Sequence, residues 1–443
     1  MKRHIATLVI FFILAASMPV FALTNEDERK YGKEIYLEIA RSAPINNDPY
    51  ISLYLNDIRG RLESKTTMPF PTVLTVIDSP TIDAFATIGG YVYIAAGLIA
   101  NCDNEEEVAG VMAHEFAHIR KRHIAKRMEK QKYLNATVVA TMLAAMLVGD
   151  SARGAVLATG MGAAHSMALR YSREDEEEAD REGSILANDA GYGGLGIADF
   201  LKKLRSGGGD KLYPQYLLTH PYHESRIINL EKTWTRKPPS VDTSLFPYII
   251  ARAKVVQTYR SRGLADDIWV RRYGRDSTDP VAAYGAALYH SLRGNFAEAV
   301  RIARTIVSPY RNLLLGEIYV AASRFPEAAQ TLDNVNERVG RYYLARAYEG
   351  MGRNDLAART YRSLDAYAPV YPEIYYRLGM ILGRTGDEAG GHAALGRYYM
   401  YKGNYMLART NFEKAISRYG INSREGVELM RLIDNLEDKE KKK

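Results

Sequence analysis

Two histidines four positions apart, His114 and His118, bracket a glutamate, Glu115. On an α-helix residues i and i+4 share one face, so both imidazoles can reach a single ion, and neutral imidazole is a good ligand for zinc. Glu115 leaves such a helix about 100° round from His114. It would stand beside the metal but free of it, where a general base for metal-activated water is needed. The pattern H-E-x-x-H has this meaning in zinc peptidases, yet a chain of this length meets it by chance on the order of 1% of the time. A catalytic zinc needs a third protein ligand as well. The stretch Tyr171 to Gly183 offers a run of carboxylates, whose plain reading is a solvated helix face. Within it Glu176 and Asp180 lie four apart. Glu176 can supply the third ligand, and Asp180 can accept the free ring N–H of a ligand histidine and fix its tautomer.

These side chains need elements to position them. Asn104 to Lys130 reads as one long helix, capped by Asp103 or Asn104, with Glu105, Glu106 and Glu107 complementing the positive dipole end. Its apolar stripe is Val108, Val111, Met112 and Ile119. His123, five positions past His118, cannot share that face and reads as structural. Glu26–Arg41 and Asp48–Leu62 carry largely helical apolar patterns and would cover the core. Val73–Ile77 is a short β-branched strand. After it, Gly89 and Gly90 open the β-rich run Tyr91-Val92-Tyr93-Ile94, a strand whose backbone something approaches closely. A plain core strand satisfies that spacing, and so does an edge strand, which in a peptidase could take a polypeptide substrate as an added strand. The apolar arms 134–148 and 155–169 are each shorter than the roughly 20 residues a membrane span needs. Without a cationic stripe they suit a helical hairpin beside the active site better than one lying on a membrane, which leaves a peripheral membrane contact as the alternative.

The combination of H-E-x-x-H with Ser172-Arg173…Glu176…Ala179-Asp180 resembles the CAAX-prenyl-protease-like zinc metallopeptidases, family 48 of metallopeptidases, which are gluzincins. Ala84-Phe85-Ala86…Gly89-Gly90, Gly97-Leu98-Ile99 and Thr219-His220-Pro221…Ser225-Arg226 are similar to further elements of that family, so the resemblance covers about residues 70–230. It implies one Zn²⁺ per chain held by His114, His118 and Glu176, with Glu115 as base and Asp180 behind the ligands. It implies a substrate-edge strand at Gly89, Gly90, Tyr91 and Val92. It also implies that His220 comes near the zinc, to donate to the oxyanion or to occupy the open position and silence the enzyme. Arg226 is the matching candidate for holding substrate or oxyanion.

The 443 residues exceed one ordinary domain, and 47% apolar with 25% charged residues is the composition of a folded protein. Lys2-Arg3-His4, the apolar run Ile5–Ala16 and Val20-Phe21-Ala22 have the form of a secretory signal peptide, and a retained anchor is the alternative. Removing residues 1–22 takes Lys2 and Arg3 and lowers the net charge from +7 to +5, spread too thinly to argue for nucleic acid. Cys102 is the single cysteine, so no internal disulfide can form. Export with a lone thiol fits a bacterial periplasm. Lys232–Leu245, with Pro238-Pro239, reads as a linker. Beyond it one turn recurs at Gly294, Ser323, Gly352 and Gly403, each following an Ala/Leu/Tyr-rich helix and opening another; the first two steps are 29 residues, and Gly352 to the turn glycine Gly386 is 34. These are degenerate tetratricopeptide-like repeats stacked into a superhelix.

The expected fold is therefore α+β and mostly helical: a gluzincin-type metallopeptidase domain with a small sheet, then an all-α superhelix. The expected divisions are 1–22 signal peptide, 23–235 peptidase, 245–436 repeats and 437–443 an unstructured charged tail. That order of parts resembles periplasmic proteases that enhance β-barrel assembly. It implies polypeptide substrates and contact between the repeats and the outer-membrane assembly machinery. A chaperone or scaffold with a latched zinc site is the competing expectation.

Overall fold

The computed structural model describes residues 23–130, 170–206, 216–262 and 268–440. The expected signal peptide and the apolar arms at 134–169 lie outside the described residues. The architecture is mostly helical with one small sheet. Helices α1 (Asn25–Ser42) and α2 (Pro49–Glu63) start where side chains take up their first backbone N–H groups. Thr24 and Asp27 form a reciprocal capping box, and the Asp48 carboxylate accepts from Tyr50 and Ile51 N–H.

Three strands follow, β1 (Val73–Ile77), β2 (Ala84–Thr87) and β3 (Tyr91–Ala95), in the order β1-β3-β2. β3 runs parallel to β1 and antiparallel to β2 from Tyr91 onward. The stretch Gly89–Val92 is thus the entry to a central strand. Tyr91 and Val92 cannot serve as the substrate edge expected from sequence, because both their sides are already paired, and Gly89 and Gly90 form the turn before the ladder; the edges are β1 and β2. The two glycines answer a different demand. Gly89 and Gly90 have φ of 79° and 93°, and a Cβ there would lie 2.8 Å from Glu28 O and 2.6 Å from Pro71 O. The close approach is by the chain's own backbone.

Helix α3 (Ala96–Asn101) leads to α4 (Glu105–Arg120), whose N-terminus is capped by Asn104 accepting from Glu107 N–H at 3.0 Å. The long helix expected through Lys130 is instead two: α5 (His123–Lys130) begins after Arg122, which has φ 57°. A non-glycine residue in that region costs about 1–2 kcal/mol. Arg122 is held there by α1 and its entry, through Glu28 Oε1 at 2.6 Å and Leu23 O at 2.6 Å. Helix α6 (Arg173–Asp189), opened by a Ser172–Asp175 capping box, packs against α4, followed by α7 (Gly196–Ser206), α8 (Tyr216–Thr219) and α9 (Glu224–Thr233).

From α10 (Phe246–Arg262) to Glu440 the described chain is all helical. Successive helices pack in pairs, such as Pro280–Leu292 on Phe296–Ala303 and Glu373–Arg384 on Glu388–Tyr401. The recurring turn has one geometry. Gly294, Ser323, Gly352, Gly386 and Gly403 all have positive φ. The next residue's N–H in each case reaches back five positions, as from Asn295 to His290 O and Arg324 to Tyr319 O. Ser323 alone among these five lacks the freedom of glycine. Ser323→Gly is expected to raise the unfolding free energy by about 1 kcal/mol, read from urea midpoints. The last helix, Arg424–Glu440, runs four residues into the stretch expected to be unstructured.

The peptidase portion and the helical array share one hydrophobic core. Arg252 on α10, 3% exposed, is 2.6 Å from Asp48 Oδ2 and 2.5 Å from Glu317 Oε1, and its guanidinium lies 4.0 Å from the centre of the Tyr50 ring. Tyr50 in turn donates to Leu313 O. The expected linker is a pinned loop: Trp234 Nε1 donates to Ser184 Oγ, Arg236 pairs with Asp199 and Ser240 N–H donates to Gly191 O.

Candidate metal centre

Helices α4 and α6 approach so closely that a Cβ on Gly183 would lie 2.8 Å from the His114 backbone nitrogen. That contact brings Glu176, one turn into α6, level with the two histidines of α4. His114 Nε2 and His118 Nε2 are 3.0 Å apart, and Glu176 Oε1 is 3.4 Å from His118 Nε2. His220, in the turn after α8, adds Nδ1 at 3.3 Å from His114 Nε2 and 3.0 Å from Glu176 Oε1. All four residues are fully buried, and their donor atoms lie within 4.8 Å of one another.

The arrangement fits a divalent ion. Two donors on a tetrahedral zinc at 2.0–2.1 Å stand about 3.3 Å apart, close to the spacings found here. Ring nitrogens that each present a lone pair at 3.0 Å, beside a buried carboxylate, are favourably joined by a cation. Glu115 repeats the signal, since both its carboxylate oxygens are buried with no hydrogen-bond partner. Burial pushes its carboxyl above the usual range, against the pull of His220 and His114. Burial works the same way on Glu176, but there the Arg226 guanidinium and His220 outweigh it and hold the carboxyl well below that range.

Each metal-facing histidine of α4 has a partner behind it. Asp180 Oδ1 is 3.0 Å from His114 Nδ1. His118 Nδ1 is 2.8 Å from His123 Nδ1, and His123 Nε2 is 3.0 Å from Glu178 Oε2. With His118 donating to His123 and His123 donating to Glu178, both Nε2 atoms of α4 keep lone pairs for an ion. His123, read from sequence as structural, reaches this place only because the helix breaks at Arg122. Nothing in the local sequence signals that break.

Arg226 differs from the expectation that it holds substrate or oxyanion. Its Nε and Nη2 grip Asp180 at 2.6 and 2.7 Å, its Nη1 lies 2.5 Å from Glu176 Oε2, and it donates to Pro221 O. The side chain is 1% exposed. With every face of the guanidinium engaged, Arg226 is a positioning residue for the two carboxylates. Two aromatic rings to which the sequence assigned no role also frame the centre. Tyr171 stacks on His118 at 3.7 Å and Tyr216 on His220 at 4.3 Å. Tyr171 N–H donates to Thr219 O, which ties the start of α6 to the turn bearing His220.

Residues 52–234 match the model of Peptidase family M48. This segment is an M48 domain. Its bounds enclose α4, α6 and the His220 turn, so the whole cluster belongs to the family's portion of the chain. A Vibrio cholerae protein provisionally named beta-barrel assembly-enhancing protease is 31% identical over 60% of this chain and 57% of its own length. The beta-barrel assembly-enhancing protease of Escherichia coli O157:H7 is 29% identical over 67% of this chain and 66% of its own. The mitochondrial metalloendopeptidase OMA1 of Saccharomyces cerevisiae is 30% identical over 37% of this chain and 46% of its own. The matches thus span roughly half to two thirds of these relatives. Among the described residues no helix is long and apolar enough to cross a membrane.

The tight α4–α6 contact carries its own expected result. Gly183→Ala places a methyl against the His114 backbone, and such overpacking costs about 1–3 kcal/mol. It also moves Glu176 away from the histidines. Both a lowered melting temperature and weakened metal retention are expected, the second measured by competition with a chelator.

Proposed function

We propose that the chain is a zinc-dependent endopeptidase of the bacterial periplasm, acting on misfolded or misassembled outer-membrane proteins. The observation that carries the chemistry is Glu115, buried and unpartnered, beside a donor set of His114, His118 and Glu176. An ion bound there supplies the electrophile that polarises a scissile carbonyl and acidifies water. Glu115 takes the proton of the attacking water and passes it to the leaving amine, and its raised proton affinity suits that task. Asp180 and the His123–Glu178 pair keep the ligand histidines in the tautomer that offers Nε2, while Arg226 fixes both Asp180 and Glu176. Edge strand β2 (Ala84–Thr87), whose Ala86 main chain adjoins Glu115, supports strand-wise docking of substrate beside that carboxyl.

In this reading residues 1–22 direct export and the helical array (245–436) is a tetratricopeptide-like superhelix. The array binds substrate or the assembly machinery, which the names of the bacterial relatives support. Purified protein should hold one zinc per chain and cleave casein. A preparation that holds zinc and cleaves no unfolded protein would leave the scaffold reading in its place.

His220 is the latch. Its Nδ1 faces the same point as the other three donors and its Nε2 lies 3.3 Å from Glu115 Oε1, so it fills the place where water would stand. His220→Ala should keep zinc on three ligands and cleave casein faster. If the open form is about 1–10% populated, the gain is about 10–100-fold. A mutant that keeps zinc but slows by 10²–10³-fold would make His220 an oxyanion donor instead.

A further inference from the structure

Edge strand β1 faces a cavity of about 530 Å³ on the far side of the sheet from the metal centre. Its walls come from both parts of the chain: α1 and α2 on one side, the 369–373 loop and the turn after Tyr401 on the other. Tyr36, Tyr91, Tyr401 and Tyr405 line it, with Tyr36 stacked on Tyr91 at 5.0 Å. Val73, 40% exposed, and Thr75 project from one face of β1, while Leu74 and Val76 are buried on the other.

The chain begins to pair this edge and then stops. Ile45 bridges Ile77 in antiparallel sense, Pro44 O accepts from Asp78 N–H, and Asn46 N–H donates to Val76 O. These bonds place the backbone groups of residues 76 and 78 on the outer side of β1, and strand alternation places those of Leu74 there too. After Asn46 the chain leaves for α2. The Val76 N–H, Leu74 C=O and Leu74 N–H are left without a partner among the described residues. Same-side groups of a strand repeat at about 6.6 Å, a spacing that an extended backbone reproduces.

We infer that this cleft is a second polypeptide-binding site, in which an extended segment of an unfolded protein continues the Ile45 pairing along β1. The main chain of that segment bonds to Leu74 and Val76, and its outward side chains, aromatic or β-branched, lie among the tyrosines. A cavity of this size falls within the range of well-formed ligand pockets and admits a short stretch of chain. The site is separate from metal chemistry, since β3 stands between it and β2.

The test is amide hydrogen exchange resolved to single residues on the full chain carrying Glu115→Gln, with β-casein as the unfolded probe. Saturating casein should slow exchange at Leu74 and Val76 at least tenfold. Val73→Arg, at an exposed position in the cleft, should abolish that protection with the melting temperature kept, and Tyr401→Ala serves if the arginine variant does not fold. Protection confined to Ala84–Thr87, or none anywhere, overturns the inference. So does protection at Leu74 and Val76 that survives the cleft variant, or that appears with rising protein concentration and no casein, which would mean a second copy fills the edge. Cleavage plays no part in this readout, so its outcome is independent of whether the metal centre is catalytic.

Discussion

Glu115→Gln is expected to leave zinc content and fold unchanged and to lower casein cleavage by about 10³–10⁴-fold, the upper part of what a general base contributes. Glutamine keeps the shape of the side chain, and both oxygens of Glu115 are free of hydrogen-bond partners, so no structural contact is lost. What is lost is the ability to accept a proton beside the ion. The three remaining donors, His114, His118 and Glu176, still meet at one point, so zinc counted after dialysis should match wild type. Cleavage by the mutant at the wild-type rate would show that the base lies elsewhere and that the gluzincin mechanism does not apply.

Glu176→Ala should empty the site. The change removes one of the four donors that converge there, and the only anionic one. Removing an outer partner of a ligand already costs 10–100-fold in affinity, so the loss here should exceed about 100-fold. The neighbouring glutamates give the contrast. Glu174 is exposed, and Glu174→Ala should hold zinc as wild type does. Glu178 accepts from His123, which backs His118, so Glu178→Ala should weaken retention without abolishing it. Atomic absorption after dialysis against a chelator ranks the three. Equal retention in all of them would move the third ligand off Glu176.

The candidate ligands on α4 and α6 were legible in part because they rest on local periodicity, with Glu176 singled out from its neighbouring glutamates by the family resemblance. His114 and His118, and Glu176 and Asp180, are pairs four residues apart on helices of ordinary geometry, and such spacing survives folding unchanged. The same holds for the recurring turn of the helical array, where glycine after an apolar helix signals positive φ in each copy but the one at Ser323. The caps at Asn104 and Ser172 are equally local.

Other features depended on partners distant in sequence. Whether Tyr91–Ala95 is an edge or a centre is a matter of what pairs on each side, and alternation in one strand carries no record of that; Val73–Ile77 and Ala84–Thr87 decide it. The break at Arg122 exists because Glu28 and Leu23 hold that residue, and the break in turn brings His123 to His118. Arg226 could be placed near the centre by sequence alone, but its role follows from Asp180 and Glu176, 46 and 50 positions upstream, occupying its whole guanidinium. The type and spacing of ligands on single helices thus belonged to the sequence itself. Strand order, helix termination and the use of each buried charge were decided by tertiary packing, because each is set by an energy shared between segments that no local window contains.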